Sequence, residues 1–349
     1  MGKFWISSLI IITLLLVLAN AAWFCYGCWE EERFALLQLK SNLNYPNGNS
    51  LPLWIDDNRS DCCEWSNVIC DTTTKHVVQI SLDYIRVKQI QGDWHFNASL
   101  FLPFKMLRAL SLSQNGLIGW VENQGFEKLS ELSKLKVLDL SGNNFDRSVL
   151  LSLGHLTSLK SLNLDFNSLD GSGHERLSSL KKLEFLSLRG TRISESNVQS
   201  IFSINDFTNL KELDITDNTF GIFGPMHDLS NLEILHAALN GFNKSIFTSL
   251  KQLPSLRFLD LSSNRGINGS VKVNELLALE DLDLSDTGVD NFVATKGLPN
   301  LKILHLGDNG FNNSIFSSLE WFPSLKFLDL SGNKAINGSV GVSLKTFKR

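Results

Sequence analysis

Beyond Cys70 the chain has no cysteine: all five, Cys25, Cys28, Cys62, Cys63 and Cys70, fall in the first fifth of its 349 residues. No disulfide can brace the rest, which must be held by packing and hydrogen bonds, and the N-terminal part is set apart as a cap. Basic charge is also scarce. A formal net charge of -4 supplies no broad basic surface, which argues against nucleic acid as a partner. Motifs that carry chemistry are missing too. Gly171 and Gly173 begin what could be a phosphate loop, but His174, Glu175 and Arg176 follow and there is no third glycine. Protein-kinase signatures are absent, and from Cys28 onward no cysteine pair has the CxxC spacing of a zinc site. Neither cofactor, metal nor catalytic activity is expected.

What is abundant is leucine in a fixed phrase. Leu325 to Asn333 reads LKFLDLSGN, and 69 positions earlier Leu256 to Asn264 reads LRFLDLSSN. Aligning Asn231–Val271 on Asn300–Val340 gives 28 identities in 41 positions, a duplicated block. The reduced form LxxLxLxxN starts at Leu107, Leu135, Leu159, Leu183, Leu210, Leu232, Leu256, Leu279, Leu301 and Leu325, in steps of 22 to 28 residues, with a looser copy at Val77. Leu-x-Leu alternation is strand periodicity, which argues against a helical bundle. The phrase resembles the leucine-rich repeat, whose period is about 20 to 29 residues.

In such a coil Leu256, Leu259 and Leu261 point inward, while Arg257, Phe258, Asp260, Ser262 and Ser263 line a concave parallel sheet. Asn264 ends the strand, where its amide can satisfy turn groups that otherwise cost about 1 to 3 kcal/mol each when buried unpaired. Thr191 and Thr287 replace it in two copies and should do so less well, and Ala237 stands where a leucine belongs, so a void or a larger neighbour is expected there. One coil cannot offset its own ordering entropy of roughly 1 to 2 kcal/mol per residue, so stacking must complete the burial.

The N-terminus has Lys3, an uncharged run from Phe4 to Trp29 and a small-x-small site at Ala19-Asn20-Ala21, the parts of a secretory signal over residues 1–22. An uncleaved membrane anchor is the alternative, because about 20 apolar residues can span a bilayer. Export implies an oxidising compartment. The stretch WEEERFALLQLKSNL (Trp29–Leu43) has acidic residues first and apolar residues at helical spacing, so an amphipathic helix is expected. The four cysteines from Cys28 onward allow three pairings, and joining the neighbours Cys62 and Cys63 would strain the chain, which leaves two.

Cys28, ERFALLQLK, Trp54, DCCEWSNVIC and the repeats together resemble the N-terminal cap and array of plant extracellular leucine-rich repeat proteins, a group that includes receptor-like proteins and polygalacturonase inhibitors. The resemblance implies pairing of Cys28 with Cys62 and Cys63 with Cys70. It also implies an α/β solenoid with a parallel sheet on its concave face and short helical or irregular segments on its convex side. The expected domains are the signal at 1–22, a cap at 23–76, about eleven coils at 77–340 and a tail at 341–349. The runs beginning at Asn240, Asn309, Ile267 and Ile336 resemble the family's NxLxGxIP continuation without its proline. Continuing the 69-residue spacing maps Leu279 onto Lys348, so a truncated ectodomain is expected.

Six Asn-x-Ser sequons, Asn58, Asn97, Asn243, Asn268, Asn312 and Asn337, mark expected glycosylation sites. Asp139, Asp214, Asp260, Asp283 and Asp329 form one lane, read as part of the family's strand phrase rather than as an acidic groove. His236 and His305 are read as outward strand positions three coils apart. Departures from the consensus are better candidates for ligand contact: Phe166, Phe185, Arg189, Glu212, Asp217, Phe258, Asp281, Asp286, Asp308 and Phe327, aromatics beside charges. The first functional reading is a non-catalytic extracellular recognition module. It would bind a peptide, glycan or protein ligand in plant defence or development, with receptor kinases as co-receptors, at the cell surface or in the apoplast. The alternative is a secreted inhibitor of microbial wall-degrading enzymes.

Overall fold

In a computed structural model the protein is described over residues 27–57, 60–86, 91–170, 177, 179–193, 207–221, 229–273, 275–293 and 297–337. The expected signal segment, Cys25, Asn58 and the tail lie outside the described residues. Twelve strands form one sheet in strict chain order. Its first pair, Val68–Cys70 and Val77–Ser81, is antiparallel, and the pairs that follow, through Ala109–Ser111, Phe258–Asp260 and finally Phe327–Asp329, are parallel.

Register is constant because the same leucine recurs at the centre of each strand: Leu259 lies opposite Leu235 on one side and Leu282 on the other. All three are fully buried, as are their partners two residues on, apart from the edge. Leu325, Leu328 and Leu330 of the last described strand are only partly buried, since none of the described residues stacks beyond them. Ala237 is buried completely.

The convex side carries short helices such as Val149–Leu153, Ile246–Leu250 and Ile315–Ser318. Phenylalanines fill the wedge beneath it. Phe96 stacks on Phe126 at 4.1 Å and Phe126 meets Phe145 edge-on at 5.5 Å. Two small parallel pairs flank the main sheet, Trp94–Phe96 with Leu117–Trp120 and Gly269–Val271 with Val289–Phe292. The sequence duplication is repeated in space, since the bridge Asn243 to Gly266 returns 69 residues later as Asn312 to Ala335.

Asparagines knit the coils together. Buried Asn143 donates from Nδ2 to Leu112 O at 3.0 Å in the preceding coil and to Leu140 O at 2.9 Å in its own, while its Oδ1 accepts from Asn115 N and Leu117 N. Thr191 and Thr287 reach only the carbonyl of their own coil, Leu188 O at 2.6 Å and Leu284 O at 2.7 Å, and then the next asparagine's Oδ1. A hydroxyl has one proton and a shorter reach, so the bond to the preceding coil is lost.

The cap is a helix, Glu30–Asn44, laid over the first coil. Cys28 is bonded to Cys62 and Cys63 to Cys70, with Cα separations of 5.5 and 5.4 Å. Trp54 stacks on Trp65, and buried Glu32 accepts from Val77 N at 2.9 Å, tying the helix to the first parallel strand. Burial raises the Glu32 carboxyl above its ordinary value, against the opposing pull of that backbone bond. Arg86 closes the other end of the helix: Nη1 donates to Leu43 O at 2.8 Å and Tyr45 O at 2.9 Å, and Nη2 to Gln91 O at 3.1 Å. A cation there also meets the negative end of the helix dipole. Arg86→Ala is expected to cost about 2 to 3 kcal/mol, given charge-assisted bonds of roughly 1.5 to 3 kcal/mol. The check is faster hydrogen exchange in the last turn of the cap helix with the remote coils unchanged.

Candidate functional site

The concave face is a set of parallel lanes, one residue from each strand per lane. The lane at the strand entrances alternates in sign: Lys160, Glu184, Lys211, Glu233, Arg257, Glu280 and Lys302. Glu184 pairs with Lys160 and, at 3.5 Å, with Lys211. Arg257 is 2.7 Å from Glu280 and 3.9 Å from Glu233, and Lys302 pairs with Glu280. Hydrogen bonds from Lys160 hold Glu184 below the ordinary carboxylate value, and those from Lys302 and Arg257 do the same for Glu280. Neighbours in this ladder are more than twenty residues apart in sequence, so the sequence patterns gave no signal for it. Such exposed pairs add little stability, but they cancel one another's field along that edge.

The next lane holds Phe185, Glu212, Ile234, Phe258, Asp281, Ile303 and Phe327, all wholly or partly exposed. Five of the ten candidate contact residues therefore share one row. Phe327 is 49% exposed, in part because it lies on the last described strand. Burial raises Asp281 above its usual value.

The third lane contains the LDLS aspartates, and the structure gives their role. Oδ1 of Asp139, Asp214, Asp260, Asp283 and Asp329 accepts from the backbone N–H two residues on, at 2.8 to 2.9 Å. Where serine stands in that lane, an aspartate of the preceding coil supplies the bond, as Asp165 does for Arg189 N at 2.8 Å. Its carboxyl is raised by burial. The recurrent aspartates are thus a backbone device. His236 and His305 take the same place in two coils, each tilted against a phenylalanine of the next strand, Phe258 at 4.9 Å and Phe327 at 5.1 Å. His236 Nε2 lies 3.7 Å from Glu212.

At the strand exits every coil has a left-handed residue: Tyr84, Gln114, Gly142, Phe166, Gly190, Asp217, Leu239, Ser263, Asp286, Asp308 and Gly332. Three are glycines, for which this conformation is free of strain, and aspartate tolerates it. Asp217, Asp286 and Asp308 therefore have a backbone reason for their positions as well as an exposed one. Glycine at Gly142, Gly190 and Gly332 was the sequence signal for this lane. Phe166 and Leu239 have no such reason, and each is 50% exposed. The ring of Phe166 lies under the Arg189 guanidinium at 5.6 Å, and a Cβ on Gly190 would strike that ring at 2.6 Å. Leu239→Asn is expected to stabilise the fold by about 1 kcal/mol, since the left-handed conformation costs branched residues roughly 1 to 2 kcal/mol; the thermal midpoint reports it, and a fall would show that Leu239 packs productively.

Asn243, Asn268, Asn312 and Asn337 are exposed and Asn97 is half-buried. Among the described residues no group of histidine, cysteine and carboxylates could hold a metal ion, and no helix is long and apolar enough to cross a membrane.

A family model described as a leucine-rich repeat region matches residues 94–349, and one described as a leucine rich repeat N-terminal domain matches residues 30–71. The chain belongs to the leucine-rich repeat proteins. Within that class its curated relatives are plant receptor-like proteins. It is similar to Cuscuta receptor 1 of Solanum lycopersicum, 37% identical over 320 residues, covering 88% of this chain and 26% of the relative. It also resembles Putative receptor-like protein 8 of Arabidopsis thaliana, 32% identical over 220 residues, covering 60% of this chain and 18% of the relative. The chain thus spans about a quarter or less of the length of these relatives. Among solved structures, the APL1 leucine-rich repeat domain shares the fold, with a TM-score of 0.53 at 22% identity over 68% of this chain and 58% of that one.

Proposed function

We propose that this chain is the recognition portion of an extracellular receptor-like protein that binds a peptide, glycan or protein ligand on its concave face in plant defence or development. The observation that carries this reading is the central lane, in which Phe185, Glu212, Phe258, Asp281 and Phe327 present aromatic and acidic side chains at positions where the coil requires only that something face outward. Named relatives of receptor-like type favour it over an inhibitor of wall-degrading enzymes. Binding, not catalysis, is what such a surface supports. Glycans at Asn97, Asn243, Asn268, Asn312 and Asn337, and at Asn58 if exported, belong to the same reading, as do location at the cell surface or apoplast and receptor kinases as co-receptors.

The test is binding of secreted full chain to peptide and glycan arrays, comparing Phe185→Ala/Phe258→Ala with the convex control Leu151→Ala. Loss of at least tenfold in affinity in the concave variant, with the control unchanged, is the expected result. Equal affinity in the concave variant would reject the concave face as the binding surface. Enzymatic removal of N-glycans should raise the gel mobility of the same material; no shift would show that the sequons are unused.

A further inference from the structure

The duplication placed two copies of one constellation on the concave sheet. In the first, Glu212 and Asp214 lie on one strand, His236 on the next, and Phe258 and Asp260 on the one after. In the second, Asp281 and Asp283 precede His305, and Phe327 and Asp329 follow it. The ring contacts agree closely, 4.9 Å and 48° against 5.1 Å and 49°. Thirteen of the 41 aligned positions in the block changed after duplication (41 less 28 identities), yet His236, Phe258 and Asp260 have unchanged counterparts in His305, Phe327 and Asp329.

The fold does not require these features. It requires the aspartates, whose Oδ1 atoms are committed to backbone N–H groups, and so holds their charge in place. It does not require an imidazole between two of them, a carboxylate in the neighbouring lane, or a phenylalanine closing the side. Between Glu212 and Asp329 these two lanes contain six carboxylates and no lysine or arginine. The adjacent ladder from Lys160 to Lys302 satisfies its own charges, so it does not neutralise them.

We propose that the two constellations are equivalent subsites for the cationic side chains of one extended basic peptide lying across the strands. This rests on the reading of the concave face as a recognition surface and names its ligand class. Each subsite offers carboxylates to an ammonium or guanidinium group and a phenylalanine face to its stem or charge. Three strand steps of about 4.8 Å separate His236 from His305, roughly 14 Å, and an extended chain covers that in about four residues of 3.3 Å. Residues four apart in an extended chain also point to the same side. The peptide that fits therefore has basic residues at positions i and i+4.

The experiment uses the full chain and seven-residue acetylated, amidated peptides of serine and threonine. One has lysines at its second and sixth positions, one at its second and fourth, and one has glutamates at the second and sixth. Calorimetry at low salt is expected to show the four-residue spacing bound at least tenfold more tightly than the two-residue spacing, and the glutamate peptide not bound. Glu212→Gln/Asp281→Asn should lower the affinity for the first peptide at least tenfold. Both residues are half-exposed, and an unchanged thermal midpoint confirms folding. Lowering the pH from 7.5 to 5.5 should also weaken binding, because a proton on either imidazole adds positive charge among Glu212, Asp214 and Asp260 or among Asp281, Asp283 and Asp329. Equal affinity for the two lysine spacings, indifference to the double variant or to pH, or no binding of the first peptide would each overturn the proposal. If it fails while Phe185→Ala/Phe258→Ala still abolishes capture of an array ligand, the ligand class is wrong and concave recognition stands; if both fail, recognition lies elsewhere.

Discussion

Asn264→Ala is expected to destabilise the middle of the array by about 3 to 6 kcal/mol. The amide of Asn264 is fully buried and serves two coils. Its Nδ2 donates to Ala237 O and Leu261 O, both at 2.9 Å, and more weakly to Ser262 O at 3.3 Å, while Oδ1 accepts from Phe242 N at 3.1 Å. Alanine would strand at least three backbone groups at roughly 1 to 3 kcal/mol each, and their surroundings are too closed for water to replace the amide fully. Asn264→Thr should cost about half as much, because Thr191 and Thr287 show which bond a hydroxyl keeps: the carbonyl of its own coil. The measurement is the urea midpoint together with hydrogen exchange in the strands Ile234–His236 and Phe258–Asp260. In a solenoid, where stability is a sum of coils and their interfaces, the loss should be centred there. A cost below about 1 kcal/mol for alanine, or no difference between alanine and threonine, would show that the asparagine row is not what couples the coils.

Removing the Cys28–Cys62 disulfide by a double serine replacement is expected to cost the cap about 4 kcal/mol, and removing Cys63–Cys70 about 2.5 kcal/mol. The difference follows from loop length, since the first bridge spans 34 residues of sequence and the second 7, and constraint of the unfolded chain grows with the logarithm of that span. Trp54 and Trp65 are buried against each other in the cap, so their fluorescence reports its unfolding separately from the coils. The cap covers the first strands, and its loss should expose Val77 and Ile80, both fully buried in the folded chain. Faster exchange should therefore spread into Val77–Ser81 before it reaches Phe258–Asp260. A larger loss for the short bridge than for the long one would contradict the loop-entropy account.

The strands were legible because each depends on residues next to one another. Leu259 and Leu261 alternate with Phe258 and Asp260, and that alternation fixes which faces are buried and which are open. The asparagine at the end of the phrase was legible as a hydrogen-bonding residue, although only the structure shows that it reaches into the preceding coil. Of the candidate contacts, Phe185, Glu212, Phe258, Asp281 and Phe327 fall in one row, as their common offset in the phrase implied. The left-handed conformation at Asp217, Asp286 and Asp308 was signalled by glycines at the same offset in other coils, a signal that a search for unusual side chains passes over.

What the sequence by itself determined is the coil: strand position, inward leucines, terminal asparagine and cysteine cap, all set by steric and hydrogen-bonding rules that act within a few residues. What only the tertiary structure decided is the relation between coils. The alternating ladder from Lys160 to Lys302, the imidazoles of His236 and His305 set between aspartates of neighbouring strands, and the phenylalanines that close beside them all join residues more than twenty positions apart. Stacking brings those residues together at a strand spacing of about 4.8 Å, and charges attract, cancel or gather according to that spacing rather than their order in the chain.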